Sequence, residues 1–490
     1  MTRSAPLPHS AASCAAALLF LAGSFGAAGL TGCTGEPPPP PVADVPAPWT
    51  PPAADLAEPA PRPDPVVFPP VEEPDGAAAP FPVARPRDRE PPLPSNERLA
   101  AFGLTRIDGD RLTVVTDRPE HGEDLPGLID AAWPAWVDYF GEPPPRRDGE
   151  PDGPLMIAFL MEEPDRFRSA GLFPDDLPPF LTGRQRGRRF WMYDVEEDYF
   201  RRALTLHEAT HVVMGLHVDR RDAGPLWYLE GMAERFGAHR LAPDGTLTVR
   251  VVPGEEAAVG GWNRIERVRA DAAAGAVPSL REIANLSDAD FLDGERAYAW
   301  AWALAAFLDG HPAYAETFRT LAEPGRRGDL SAFDPVRRQL EAEWPAFVTE
   351  LVPNYDVAAN AARFAPPPPG PVEVAADAGW QHAGVRVQRG DRVRVSAEGR
   401  FTLADQPKPW ESTADGVSID YHRGRRIGEL QAAVLADAPA PPVGLAEPIP
   451  VGADGVVVAP RAGTLYLRIN DRPDRRADNR GGVSAVVEPD

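Results

Sequence analysis

Between Arg98 and Val352 the apolar positions recur with two different periods. "RLTVVTD" (111–117), "PLMIAFLM" (154–161) and "RRFWMYDV" (188–195) are short runs rich in β-branched and aromatic residues, and they predict strands. "LPGLIDAAWPAWVDYFG" has the helical period instead, with Pro134 predicting a kink or a boundary. Phe200, Leu204, His207, His211 and Met214 fall on one helix face. Asp194, with Glu197 three residues on, predicts a capping box at the start of that helix. After the breaker Gly224-Pro225 a second helix is predicted over 225–239, and more helices over about 280–352. Beyond Pro366–Gly370 the pattern becomes short alternating runs, such as "GVRVQRGDRVRVSAEG" and "GTLYLRIND", punctuated by turn residues. That texture predicts an antiparallel β-sandwich. The expected fold class is therefore multidomain: an α+β domain followed by an all-β sandwich.

The N-terminus changes the picture. Arg3 precedes an apolar, Gly-rich run, Ala15–Leu30, which ends in Leu30-Thr31-Gly32-Cys33. This is a secretory signal peptide by pattern, and "LTGC" resembles the bacterial lipobox, in which cleavage leaves a lipidated Cys33. An ordinary signal peptide with an incidental cysteine is the plainer alternative. Cys14 and Cys33 are the only cysteines, and Cys14 would leave with the signal, so no disulfide framework is available. Thr34 in place of an aspartate implies, by the same resemblance, an outer-membrane destination. From Thr34 to about Pro94 the chain is Pro, Ala and acidic residues, too polar to offset its ordering entropy. At roughly 3.1 Å per residue such a segment is a semi-rigid spacer. The formal net charge of −23 argues against a nucleic-acid partner.

The chemistry concentrates in "LTLHEATHVVMGLHVD" (204–219). His207 and His211 lie one helical turn apart, so both imidazoles can reach one ion, and Glu208 beside them is placed as a general base. A catalytic zinc site takes three protein ligands and a water. Two residues compete for third ligand. His217 sits where a metzincin places its last histidine, but that pattern needs glycine at 214, which is Met214. Glu230 follows His211 with eighteen residues between, and ligand count with site geometry favours it.

"LWYLEGMAERF" resembles the glutamate-donating helix of the gluzincin, or peptidase MA-like, superfamily, through Trp227, Glu230, Gly231 and Ala233. The resemblance implies a zincin-like metallopeptidase domain with zinc on His207, His211 and Glu230, and Glu208 as catalytic base. Glu234, one turn beyond Glu230, could orient a ligand histidine or be a solvated carboxylate. Tyr298 opens a helix as an oxyanion-stabilising tyrosine does in the aminopeptidase branch; a buried core tyrosine is the alternative. The G-x-M-E-N motif of that branch is absent, so aminopeptidase specificity is unsupported.

In the C-terminal part "LYLRINDRPDRRADNRGG" (465–482) packs oxygen-bearing side chains into one turn, the ligand type calcium takes. The pattern resembles the calcium loop of the galactophilic bacterial lectins. That resemblance implies calcium on Asp471, Asp478, Asn479 and the Arg475 carbonyl, with glycans as partners. An Asp/Asn-rich turn also satisfies its own backbone without an ion.

The expected layout is a signal peptide (1–32), a Pro-rich linker (33–96), a metallopeptidase domain (97–360), a second linker (361–372) and a lectin-like sandwich (373–490). The expected function is a lipid-anchored zinc peptidase acting on peptide or protein substrates and held at the membrane by its anchor. The alternative is a non-catalytic glycan-binding lipoprotein with a degenerate peptidase scaffold.

Overall fold

The computed structural model describes residues 92–145, 155–217, 224–406, 408–437 and 444–490. The expected signal peptide, Cys33 and the linker up to residue 91 lie outside the described residues. Strands β1 (Thr105–Asp108), β2 (Leu112–Thr116), β3 (Met156–Met161), β4 (Gly183–Arg186) and β5 (Arg189–Tyr193) form one sheet in the order β1-β2-β3-β5-β4. β2, β3 and β5 run parallel, while β1 and β4 are antiparallel edges. The central strands are buried along most of their length, as two-sided cover requires. On one face lies the helix Leu125–Phe140, which continues through Pro134, so the kink or boundary expected there is not a break.

The predicted metal-site helix runs from Asp198 to Leu216, and its partner from Leu226 to Gly237. The expected capping box is not used: Glu197 is the N-cap without a side-chain hydrogen bond, and Asp194 instead lies with Oδ2 2.7 Å from His121 Nδ1. Helices Arg264–Ala273, Glu295–Gly310 and Arg337–Glu350 complete this part. Alanine and tryptophan fill the Glu295–Gly310 helix because it is buried on nearly every side. Its close neighbour is Gly231, where a Cβ would stand 2.7 Å from the Ala301 carbonyl oxygen. Glycine there lets the two helices touch backbone to backbone. One large cluster, which includes Trp136, Trp227, Trp262, Trp300 and Trp302, is the core of the helical layers and the sheet face against them.

Residues 372–490 form two antiparallel sheets. The first orders Glu411–Ser412, Phe401–Thr402, Arg480–Pro489, Arg392–Glu398 and Asp454–Val458, with Val372–Ala375 also paired to Arg480–Pro489. The second orders Asp415–His422, Arg425–Ala436, Gly463–Ile469 and Gln381–Val387. Their inner faces enclose a separate core of Val, Leu, Ile and Ala, as alternating strands demand.

The β-rich part is held to the helix Arg337–Glu350 by apolar contact and by buried polar bonds. Ala342 packs with Trp380, Ala433, Leu435 and Tyr466. Glu350 accepts from both terminal nitrogens of Arg468, at 2.7 and 3.0 Å, and Arg468 stacks over Trp380. Residues 361–364, expected to open a linker, are tied down: Ala362 N donates to Glu343 and Arg363 N to the Trp380 carbonyl. Among the described residues no helix is long and apolar enough to cross a membrane.

Candidate functional site

His207 and His211 project from one face of the Asp198–Leu216 helix toward the helix Leu226–Gly237, which crosses it and carries Glu230. The three ligand-type atoms form a nearly equilateral triangle. His207 Nε2 and His211 Nε2 are 3.1 Å apart, and Glu230 Oε2 lies 3.2 Å from the first and 3.3 Å from the second. Tetrahedral coordination with metal–nitrogen distances near 2.0–2.1 Å sets neighbouring donors about 3.3 Å apart. The donor set and its spacing therefore fit a zinc-sized ion. Among the described residues, this is the group of three His, Cys, Asp or Glu side chains whose ligand atoms converge within 4.8 Å.

Glu234, expected as an orienting carboxylate, has Oε1 3.4 Å from His207 Nδ1. It also accepts from Arg264 Nε and Nη2 at 3.1 and 3.0 Å and from Trp262 Nε1 at 3.1 Å. It is 4% exposed, which removes the solvated reading. His217 caps the end of its helix, its Nδ1 2.9 Å from the Val213 carbonyl and its Nε2 3.1 Å from the Gly141 carbonyl. It is not brought to the triad.

The electrostatics follow from this packing. Burial alone would lower the His207 pKa, but hydrogen bonds and charge from Glu230 and Glu234 outweigh it and raise the value to about 10. Burial raises Glu230 and Glu234, and the neighbouring histidines and Arg264 reverse it. Glu234 ends near 2, and Glu230 lies well below the usual carboxylate range. Such a preference for cationic charge is what a divalent ion would satisfy.

Glu208 is buried, 3% exposed, and its Oε2 has no hydrogen-bond partner. Burial raises its pKa. Edge strand β4 passes over it so closely that a Cβ on Gly183 would overlap the Glu208 carboxylate. Tyr298 lies in the first turn of the Glu295–Gly310 helix, its ring centre 6.1 Å from that of His207. Burial, followed by the charges of Glu230 and Glu208, drives its phenol pKa well up, so it stays protonated. Both residues border a cavity of about 210 Å³ together with His207.

Sequence reasoning missed β4, Trp262 and Arg264. "TGRQRGRRFW" did carry a hairpin signal in Gly187, which takes φ +64° between β4 and β5. Arg264 had none, because its partner is thirty residues away in sequence.

In the C-terminal loop, Asp471 and Asn479 are 3% and 2% exposed, and Asp471 Oδ2 and Asn479 Oδ1 have no hydrogen-bond partner. Asp471 Oδ1 accepts from the Arg472 amide at 2.7 Å. Burial raises the Asp471 pKa, and the nearby Asp478 adds to it. Asp478 is exposed, and the Arg475 carbonyl accepts from the Asp478 amide at 3.2 Å. The unpartnered oxygens, one on Asp471 and one on Asn479, are of the type a hard cation takes, while the Asn479 side chain also hydrogen-bonds the Asp471 carboxylate within the turn. Arg476 is fully buried and spans the loop. It donates to the Ile469 and Asp471 carbonyls and, through Nε at 2.7 Å, to Asn360 Oδ1.

No protein-family model matches the chain, and no curated protein matches it. Among solved structures it is similar to one described as "EclA N-terminal domain; PllA-like lectin", with 22% identity over 24% of this chain and 95% of that one. The TM-score is 0.20, too low to define a shared fold.

Proposed function

We propose that this chain is a lipid-anchored zinc-dependent peptidase of gluzincin type, with a β-sandwich that binds calcium and, through it, carbohydrate. The observation carrying the peptidase reading is the triangle of His207, His211 and Glu230, with sides of 3.1 to 3.3 Å, beside a buried Glu208 whose Oε2 has no hydrogen-bond partner. The two imidazoles and Glu230 would hold the zinc. When bound, zinc acts as a Lewis acid toward a water and the scissile carbonyl. Glu208 accepts the proton of the attacking water and hands it to the leaving amine; a pKa raised by burial suits both transfers. The Tyr298 hydroxyl, kept protonated, donates to the oxyanion that develops on the carbonyl. Glu234 fixes the ring of His207 through Nδ1. The anchor would sit on Cys33, and Thr34 after it in place of an aspartate favours the outer membrane. The sandwich reading rests on the orphaned Asp471 and Asn479 oxygens.

The test is zinc content and peptide hydrolysis by the detergent-solubilised full chain, with calcium removed selectively beforehand. The expected result is about one zinc per chain, lost in Glu230→Ala and kept in His217→Ala and Glu208→Gln. Glu208→Gln should lose turnover by about 10²–10⁴-fold. A chain that takes up no zinc after reconstitution overturns the peptidase reading and leaves the non-catalytic glycan-binding one.

A further inference from the structure

A phenol that donates to a developing oxyanion has to be held in place against the metal ligands. Three groups meet the ring of Tyr298. Phe291, from the helix Asp288–Leu292, packs edge to face on it, with ring centres 4.9 Å apart and planes at 77°. The His207 imidazole lies across from it, tilted by 56°. The Arg264 guanidinium stands 5.7 Å from the ring centre, within the range of a cation–π contact.

Arg264 is also the point where three parts of the site join. It is the first residue of the helix Arg264–Ala273 and is 5% exposed. Its Nε and Nη2 donate to Glu234, which lies against His207 Nδ1. Its Nη1 is ion-paired with Glu295 Oε1 at 3.5 Å. Glu295 is the first residue of the helix that presents Tyr298 one turn later. Neutralising Glu234 takes only the two nitrogens that face it. The third nitrogen and the face of the group are directed to the Tyr298 helix and to Tyr298 itself. One rigid, planar group thus ties the carboxylate that orients a metal-ligand histidine to the phenol. A lysine would supply the charge without this geometry, because an ammonium is a point charge on a flexible stem.

We propose that Arg264 is a positioning residue: it clamps Tyr298 and the first turn of its helix in register with His207. Its part in turnover rests on the peptidase reading; the clamp itself can be read without it. The phenol donates to charge that develops only in the transition state, so a loosened clamp should lower kcat and leave KM unchanged.

The experiment uses the detergent-solubilised full chain and has two arms. The first follows hydrolysis of end-blocked peptides by the zinc-loaded protein. Tyr298→Phe should lower kcat by about 10²–10³-fold. Arg264→Lys should lower kcat at least about tenfold at unchanged KM. Its zinc affinity, read by competition with a chelator, should stay near that of wild type, because Glu234 keeps a cation. Glu295→Gln touches only the exposed end of the clamp and should lower kcat by up to about fivefold. In the Tyr298→Phe background neither change should lower kcat further, since both act through the phenol. Losses that add in that background, or a fall in zinc affinity that accounts for the loss in Arg264→Lys, overturn the positioning role and leave the peptidase standing.

The second arm is hydrogen exchange on the metal-free chain. Arg264→Lys should speed exchange over residues 298–302 by at least about twofold and leave the sandwich strands unchanged. If wild type cuts no peptide but this exchange rises, the clamp holds and the peptidase reading falls. If the exchange does not rise, the clamp is refuted with or without peptide cleavage.

Discussion

At Gly183 a single missing side chain gives the Glu208 carboxylate its room. Strand β4 crosses Glu208 at a distance that leaves no place for a Cβ. Gly183→Ala should therefore push the Glu208 carboxylate aside while leaving His207, His211 and Glu230 in place. The expected outcome is zinc content unchanged and kcat reduced by at least about tenfold, since small displacements at the reacting centre cost heavily. Glu234→Ala acts on the other side of His207. It removes the partner of Nδ1 and leaves buried Arg264 with only the exposed Glu295 as counter-charge. Zinc affinity should fall about 10–100-fold, read by competition with a chelator.

Two helices and an edge strand make the site, and they differed in how far the sequence announced them. His207, Glu208 and His211 were legible because a helix writes its faces at fixed spacing, and Glu230 because the next helix carried a pattern of its own. The Leu125–Phe140 helix was legible too, although Pro134 does not interrupt it. What stayed hidden depends on distance in sequence. β4 has only four residues of intermediate burial and no apolar alternation, and Arg264 matters through Glu234 rather than through its neighbours. Asp194 misled because its carboxylate serves His121 across the sheet end instead of its own helix. Gly231→Ala tests the packing at this scale. Its Cβ would press on the Ala301 carbonyl at 2.7 Å, so the helices must part, and unfolding free energy should drop by about 1–3 kcal/mol. Glu230 rides on the displaced helix, so zinc affinity should fall in parallel.

Among the described residues, helical layers and sandwich meet through an apolar contact and through charges taken out of water. Burial raises the Glu350 pKa, but Arg468 outweighs burial and holds it near 2. A carboxyl whose folded pKa is lowered lends stability above its unfolded value of about 4.3, and that stability is lost as pH falls toward 2. Acid should therefore loosen the sandwich from the helix Arg337–Glu350. Glu350→Gln should remove this part of the acid sensitivity and, by leaving Arg468 buried without its partner, cost about 3–5 kcal/mol at neutral pH. Thermal unfolding followed between pH 2 and pH 7 reads both effects; equal pH profiles for wild type and variant would refute the coupling.

Arg476 ties the loop of Asp471 to Asn360, a residue that precedes the sandwich strands. Anyone who cuts the chain near residue 372 to study the C-terminal part alone discards Asn360 and leaves Arg476 Nε without its acceptor beside the loop under assay. Affinities for metal or sugar measured on such a fragment would describe a differently supported loop. A fragment that starts before Tyr355 keeps the brace, and the difference between the two fragments would measure how much of the loop's order is borrowed from upstream.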